Sequence, residues 1–310
     1  MNINNIVVVS PMYQEIQTLM EKREITKNFR FLPEERVTSA DLAWADAFVA
    51  FNTKKDYDYC QVQWVHSLGA GVDRFLFKKQ WPEGVLLTRT ICSFGQRIAE
   101  YCLSYILKDI QFHNEFNELQ AKKTWKPLTP KLLNEQKVMI FGTGEIGQKT
   151  AEILSSLGVD VFGVSLSGKD KEHFKEVITI GAHEERLNEV NYVINTLPLT
   201  EKTEALFDEK VFNHLSNVGF INVGRGATID EKALLQALEN KHIKFAVLDV
   251  FTVEPLPKDS SLWEHPSVII TPHISAVTTP DEGVDCFVDT LMNIEAKKPL
   301  RNKVEISKGF

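Results

Sequence analysis

VMIFGTGEIG, residues 138–147, is an apolar run that breaks into three glycines. Gly142, Gly144 and Gly147 fit the spacing G-x-G-x-x-G, directly after the strand-like KVMIF (137–141) and at the head of the helical pattern EIGQKTAEILSSLG (145–158). In that setting each glycine has a physical job. The first permits a tight strand-to-helix turn, the second lets backbone amides approach a pyrophosphate, and the third lets the helix pack closely on the sheet. The helix N-terminus adds unpaired N–H groups and the positive end of its dipole. Gly142, Thr143, Gly144, Glu145, Ile146 and Gly147 are therefore a candidate dinucleotide cradle. The alternative is a tight turn that holds no ligand.

Downstream of the turn, apolar runs alternate with helical patterns. VDVFGVS (159–165), YVINTLP (192–198), GFINVG (219–224), FAVLDVF (245–251) and SVIITP (267–272) read as strands, and EKALLQALENK (231–241) as one of the helices between them. Near-continuous apolar strands separated by helices predict a parallel sheet covered on both faces, an α/β architecture. Upstream, NIVVVS (5–10), DAFVAF (46–51), QVQWVHS (61–67) and LLTRT (86–90) suggest a second, smaller β/α unit. IAEYCLSYILKDIQFHNEFNELQ (98–120) has the three-to-four spacing of one long helix, ended by the prolines of KTWKPLTP (123–130). The tail GVDCFVDTLMNIEAKK (283–298) is again helical in period and is free to return to the first unit.

With 310 residues the chain has length for two domains, each with its own core. Its formal charge of −7, with basic residues no more clustered than Lys122 and Lys123, argues against a nucleic-acid partner. No stretch approaches the ~20 apolar residues of a membrane helix, so no membrane partner is expected. The opening MNINNIVVVSP reads as a first strand rather than a signal peptide. Cys60, Cys92, Cys102 and Cys286 form no C-x-x-C pair and no ligand spacing with histidine. They are expected to be buried thiols in a reducing cytoplasm, and no metal is expected.

At the end of the second strand after the glycine turn, a dinucleotide site ordinarily places an acid on the ribose hydroxyls. Here VFGVSLSGKDK (161–171) puts Ser165, Leu166 and Ser167 in that place, with Lys169 beyond. A serine can donate to a 2′-phosphate that an acid would repel, which favours NADP over NAD; Asp170 leaves NAD open. Three later strands end in INVGRGATID (221–230) with Arg225, LDVFTVEPLP (248–257) with Glu254, and ITPHISAVT (270–278) with His273. Ligands of open α/β sheets lie beyond the carboxyl ends of strands, so the three can converge on the face that holds the nucleotide. Singly, each has a structural alternative: loop surface, turn cap or core histidine.

The set as a whole resembles the D-isomer-specific 2-hydroxyacid dehydrogenase family along nearly the whole chain. The matching pieces are GTGEIG (142–147), NTLPLTEKTEALF (195–207), INVGRGATIDEKALLQAL (221–238), LDVFTVEPLP (248–257) and LWEHPSVIITPHISA (262–276). HSLGAGVD (66–73), WKPL (125–128) and TPHISAVTTP (271–280) are most similar to the family's bacterial glyoxylate/hydroxypyruvate reductase A branch.

The resemblance implies a Rossmann-type doubly wound parallel sheet inserted in a discontinuous flavodoxin-like substrate domain. Residues 1–97 and 284–310 would form the substrate domain, and 98–283 the nucleotide domain. It further implies reduction of a small 2-oxo acid by NAD(P)H to the D-2-hydroxy acid, in a cytoplasmic homodimer. His273 would be the proton donor, with Glu254 favouring its imidazolium, and Arg225 would hold the substrate carboxylate. Leu68, Gly69, Ala70 and Gly71 would complete the carboxylate site through backbone amides. Thr196, Leu197, Pro198, Thr203, Val223, Gly224, Asp249, His273 and Ser275 would line the cofactor, with Asp249 accepting from the nicotinamide carboxamide. In SFGQRIAEY (93–101), Phe94 and Arg97 depart from the small or acidic residues usual at that hinge. Trp44 and Trp81 would either narrow the substrate pocket or pack in the core. A D-lactate or branched 2-oxo-acid reductase on the same scaffold, or a nucleotide-sensing co-repressor-like binding protein, are the competing readings.

Overall fold

A computed structural model describes residues 1–51 and 53–310. The chain divides into two compact units, Met1–Phe94 with Thr278–Phe310, and Gly95–Val277.

In the first unit the elements run β1 (Asn5–Val9), α1 (Tyr13–Glu21), β2 (Asn28–Leu32), α2 (Ser39–Trp44), β3 (Ala47–Ala50), β4 (Trp64–Ser67), α3 (Asp73–Leu76) and β5 (Leu86–Arg89). Among the described residues these strands make a five-stranded sheet in the order β2-β1-β3-β4-β5, with every pairing parallel. That is the 2-1-3-4-5 order of flavodoxin-like folds. Alternate side chains feed two cores. Val7, Val9, Phe48, Val65 and Leu87 pack on one face, and Ile6, Val8, Val49 and Trp64 on the other. Trp44 and Trp81 both pack against the first of these cores. Arg30 sits 4.0 Å over the Trp44 ring, and Trp81 Nε1 donates to the Val85 carbonyl at 2.8 Å.

The second unit follows with α4 (Phe94–Ile110), α5 (His113–Ala121), β6 (Lys137–Phe141), α6 (Glu145–Ser156), β7 (Asp160–Ser165), β8 (Glu176–Thr179), β9 (Tyr192–Asn195), α7 (Glu209–Asn213), β10 (Val218–Asn222), α8 (Glu231–Glu239), β11 (Ile243–Leu248) and β12 (Val268–Ile270). Its seven strands, counted among the described residues, are all parallel in the order β12-β11-β10-β9-β6-β7-β8. Numbered from β6, this is 3-2-1-4-5-6 with a seventh strand added, the doubly wound dinucleotide-binding order. The order reverses between β6 and β9, the switch point at which such sheets bind ligands.

α9 (Pro280–Glu295) then rejoins the first unit, where Phe287 stacks on Trp64 with centroids 5.2 Å apart. The sequence places the unit boundaries at 97/98 and 283/284; the fold divides at 94/95 and 277/278. Each shift traces to a helix start. α4 begins at Phe94, and Thr279 with Glu282 forms a capping box ahead of Pro280, so α9 begins before its apolar face is apparent.

Two further expectations need correction. The single long helix is broken: Phe112 takes a left-handed φ of 56° and α5 starts anew. Ile110 is the last fully buried residue of the apolar stripe, and its carbonyl accepts from Lys131 N as the chain returns. The thiols are also not uniformly buried: Cys102 is, Cys92 and Cys286 are half-buried, and Cys60 is exposed.

Candidate active site

The glycine turn sits at the switch point, and sterics account for Gly142 and Gly147. Gly142 has φ +98°, and a Cβ there would lie 2.7 Å from Thr196 Oγ1. A Cβ on Gly147 would fall 1.8 Å from the Gly142 carbonyl oxygen, so no side chain is possible while α6 meets the turn this closely. Around Gly144, by contrast, a Cβ would meet nothing within 4 Å, and Gly144 and Glu145 are exposed at the head of a twelve-residue helix. Thr143 is buried and Ile146 half-buried behind them. The cradle thus has the open, amide-lined mouth that a pyrophosphate requires. Thr196 Oγ1 braces it across the switch point, within 3.0 Å of the Phe141 carbonyl and 3.1 Å of that of Gly142.

Ser165 ends β7 and opens a tight turn. Its Oγ accepts from Gly168 N at 3.1 Å, and Ser167 Oγ accepts from Lys169 N at 3.4 Å. Both hydroxyl protons therefore remain for other acceptors. Leu166, Ser167 and Lys169 are exposed, and Ser165 is half-buried. Thr203 is placed differently from a ligand contact. It is 2% exposed, and its Oγ1 donates to the Pro198 carbonyl at 2.6 Å while accepting from Thr200 N at 2.8 Å, so it shapes the loop after β9. Leu197, Val223 and Gly224 are buried and Pro198 half-buried in the same region.

Arg225 follows β10 between two glycines that have no room for a side chain. A Cβ on Gly224 would lie 2.6 Å from the Leu197 carbonyl oxygen, and one on Gly226 would lie 1.9 Å from the Phe251 carbonyl carbon. These contacts draw the Arg225 loop against the segment that carries Glu254. The Arg225 carbonyl accepts from Asn222 Nδ2 and from Thr228 Oγ1, at 3.2 and 2.6 Å.

Glu254 and His273, nineteen residues apart, meet directly. His273 Nδ1 lies 2.9 Å from Glu254 Oε2, and Glu254 Oε1 accepts from Phe251 N, also at 2.9 Å. Burial by itself would raise the Glu254 carboxyl. The hydrogen bonds from His273 and Phe251, with the nearby charges of His273 and Arg225, outweigh it and hold the group below its ordinary value. Since the carboxylate can only accept, Nδ1 carries a hydrogen and Nε2 is the atom left to give or take a proton. The His273 side chain is 46% exposed, so that nitrogen is accessible.

Asp249, at the end of β11, is fully buried. Its carboxylate accepts from Thr271 Oγ1 at 2.5 Å, Ile274 N at 2.8 Å and Ser275 N at 2.9 Å. The expected bond from a nicotinamide carboxamide must therefore share the carboxylate with three protein donors. Ser275 is 6% exposed and reaches this cluster through its backbone.

A pair of residues not singled out in the sequence underlies both loops. Asn195 and Asn222 end β9 and β10, both fully buried, and Asn195 Nδ2 donates to Asn222 Oδ1 at 2.9 Å and to Thr228 Oγ1 at 2.7 Å. Their oxygens accept from Leu197 N and Gly224 N. The signal was an asparagine closing an apolar strand in both YVIN and GFIN.

Leu68–Gly71 lies in the first unit, directly after β4. Leu68 is buried and the next three residues are half-buried. Ser67 Oγ accepts from Gly69 N and donates to the Gly71 carbonyl, which curls the segment. In the second unit Arg97 donates to the Val277 carbonyl, and Phe94, at the edge of the first, is buried.

A doubly wound sheet with a glycine cradle at its switch point and an acid-backed histidine at neighbouring strand ends defines a dinucleotide-dependent oxidoreductase. The chain belongs to the D-isomer-specific 2-hydroxyacid dehydrogenases, the family whose NAD-binding-domain model matches residues 103–275. It is 36% identical over 258 residues to the glyoxylate/hydroxypyruvate reductase A of Citrobacter koseri, covering 79% of this chain and 81% of that protein. Among solved structures it is similar to a D-isomer-specific 2-hydroxyacid dehydrogenase from Xanthobacter autotrophicus in complex with NADPH and MES, with a TM-score of 0.88 and 28% identity over the full length of both chains. It is likewise similar to the NADPH-dependent glyoxylate/hydroxypyruvate reductase of Sinorhizobium meliloti in complex with NADP and sulfate, with a TM-score of 0.88 and 26% identity over 99% of this chain and all of that one.

Proposed function

We propose that this protein reduces glyoxylate and hydroxypyruvate to the corresponding D-2-hydroxy acids, with NADPH preferred over NADH. The observation that carries this reading is the His273 Nδ1–Glu254 Oε2 bond at 2.9 Å, which commits one ring nitrogen to a carboxylate and leaves Nε2 for the substrate oxygen. The choice among 2-oxo acids rests on the named substrates of the Citrobacter and Sinorhizobium enzymes. The choice of NADPH rests on the Ser165–Lys169 turn and on the cofactors held by the Xanthobacter and Sinorhizobium structures.

When bound, the nicotinamide supplies a hydride for the carbonyl carbon. The cradle of Gly142–Gly147 would hold the pyrophosphate, and the Ser165–Lys169 turn would hold the ribose phosphate. Thr196, Pro198, Val223 and Asp249 flank the nicotinamide side. Arg225 pairs with the carboxylate of the 2-oxo acid and offsets the negative charge growing on the carbonyl oxygen. That oxygen takes its proton from His273 Nε2, while Glu254 stabilises the ring in its charged form and fixes its orientation. In the reverse direction the neutral ring accepts the proton. Leu68, Gly69, Ala70 and Gly71 are proposed as the carboxylate-binding element of the first unit.

No helix among the described residues is long and apolar enough to cross a membrane. A cytoplasmic homodimer paired through the nucleotide-binding unit completes the proposal. Its support is the set of unbridged cysteines and the exposed α5 surface, where every residue is at least partly open to solvent. The deciding experiment is a panel of glyoxylate, hydroxypyruvate, pyruvate and 2-oxoisocaproate against NADPH and NADH, read as kcat/KM. The first two substrates with NADPH are expected to lead. Preference for the last two reassigns the enzyme within its family, and NADPH binding without turnover of any 2-oxo acid would make it a nucleotide sensor.

A further inference from the structure

His273, the proposed proton donor, occupies a backbone conformation that side chains avoid. Its φ is +54°, in the left-handed region where Cβ crowds the carbonyl oxygen. Such a conformation persists only where its surroundings impose it. What imposes it here is a buried network on its amino side and its carboxyl side alike. His273 N donates to the Asp249 carbonyl at 2.8 Å and lies 3.1 Å from that of Thr271. The Asp249 carboxylate, wholly buried, takes the next two amides, Ile274 N and Ser275 N, and the Thr271 hydroxyl two residues before His273.

The network has one member from outside the strand ends. Tyr101, in the middle of α4, has its hydroxyl 2.6 Å from Thr271 Oγ1. Thr271 has one hydroxyl proton and gives it to the carboxylate, so Tyr101 is the donor in that contact. The direction is fixed from the phenol through the threonine to the acid. Burial pushes the Tyr101 phenol above its usual range, which keeps that proton in place.

We propose that Thr271 and Tyr101 are positioning residues for the reaction, acting through Asp249 to hold residues 271–275 in the conformation from which His273 presents Nδ1 to Glu254. The inference rests on His273 being the proton donor, as proposed above. In chemical terms the hydroxyl chain completes the coordination of a buried charge whose remaining donors are the loop's own amides. Without it the carboxylate loses a charge-assisted bond and the strained turn loses one of its restraints.

The test compares Thr271→Val, which keeps the shape and removes the hydroxyl, with Thr271→Ser, which restores it, and with Tyr101→Phe. Thr271→Val and Tyr101→Phe are expected to lower kcat for glyoxylate by about tenfold to a hundredfold, the scale of a small misplacement of a catalytic group. NADPH affinity by fluorescence should stay within about twofold, as for a loss confined to the chemical step. Thr271→Ser should recover most of the lost rate, and in a His273→Gln background Thr271→Val should cost nothing further. Ring 15N shifts of His273 at alkaline pH supply a readout that needs no turnover: a dominant Nδ1–H tautomer in the wild type and a mixture in Thr271→Val. Undiminished kcat in Thr271→Val, an equal loss in Thr271→Ser, or a loss that persists without His273 would overturn the proposal. Should the wild type turn over no 2-oxo acid, the functional reading fails, and the tautomer comparison still decides whether the hydroxyl chain orients the ring.

Discussion

In the proposed reaction, the bond from His273 Nδ1 to Glu254 at 2.9 Å divides the work between the two ring nitrogens. His273→Gln keeps a polar side chain of similar reach but cannot pass a proton at the carbonyl oxygen. Its kcat is expected to fall by about 10²–10⁴-fold, the usual contribution of a positioned general acid. NADPH affinity should hardly change, because the proposed cradle is Gly142–Gly147, which Thr196 braces. Stopped-flow turnover together with fluorescence titration checks both halves; an equal loss of cofactor binding would place His273 elsewhere. Ser165 makes a separate residue-scale case. Its Oγ accepts from Gly168 N, so its proton faces outward, and Ser165→Asp replaces a donor with a charge that repels a 2′-phosphate. The NADPH/NADH ratio of kcat/KM should drop by about tenfold or more, one bond to a charged group being worth about 1.5–3 kcal/mol. An unaltered ratio would mean that the ribose lies away from this turn.

At the scale of elements, what the sequence revealed followed burial. Strands in the middle of the larger sheet, such as β6 and β9, carry unbroken apolar runs, VMIF and YVI, and stood out as such. The two that did not are β2, NFRFL, and β8, EVIT, both edge strands with half-exposed residues, where polar side chains interrupt the run. The glycine turn and the three strand-end residues stood out as candidates because the proposed chemistry needs rare residue types at set places. Asn195, Asn222, Thr271 and Tyr101 did not, since their roles depend on partners 22 to 170 positions away in the chain. β4 holds another such residue. His66 is wholly buried, with Nδ1 2.8 Å from Thr88 Oγ1 and Nε2 3.3 Å from Thr90 Oγ1, and burial lowers its pKa from 6.5 to about 3. The unfolded chain takes up a proton as pH falls through 6.5 while the folded strand refuses one until about 3. The unfolded state then binds more protons, so this contribution to stability is whole above pH 6.5 and shrinks as pH falls towards 3. His183, lowered chiefly by burial as well, adds a change of the same sign. Urea midpoints measured between about pH 6.5 and 5, above the main carboxylate range, should fall with pH in the wild type and fall less in His66→Gln. Parallel slopes would show that His66 is not neutral in the fold.

On the scale of the whole molecule, the nucleotide-binding unit carries a surface that its own core does not use. The segment from α5 to residue 132 is solvent-exposed except for the half-buried Leu119 and Leu128, and it displays Phe116 at 38%, Leu132 at 59% and Trp125 at 100% exposure. A tryptophan offers roughly 150–250 Å² for burial, and aromatic residues are enriched where protein surfaces meet. The prolines at 127 and 130 stiffen the chain beside it, so little entropy is lost on docking. A second copy of the chain is the partner that the proposed homodimer assigns to this surface. Because Trp125 is fully exposed, Trp125→Glu should leave the thermal midpoint of an isolated subunit unchanged. It should weaken association by about 2 kcal/mol or more, the scale of an aromatic hot spot. Light scattering over a dilution series, with thermal unfolding alongside, separates the two effects. A variant that stays as dimeric as the wild type at every concentration would remove Trp125 from the interface, and a monomeric wild type would remove the interface itself.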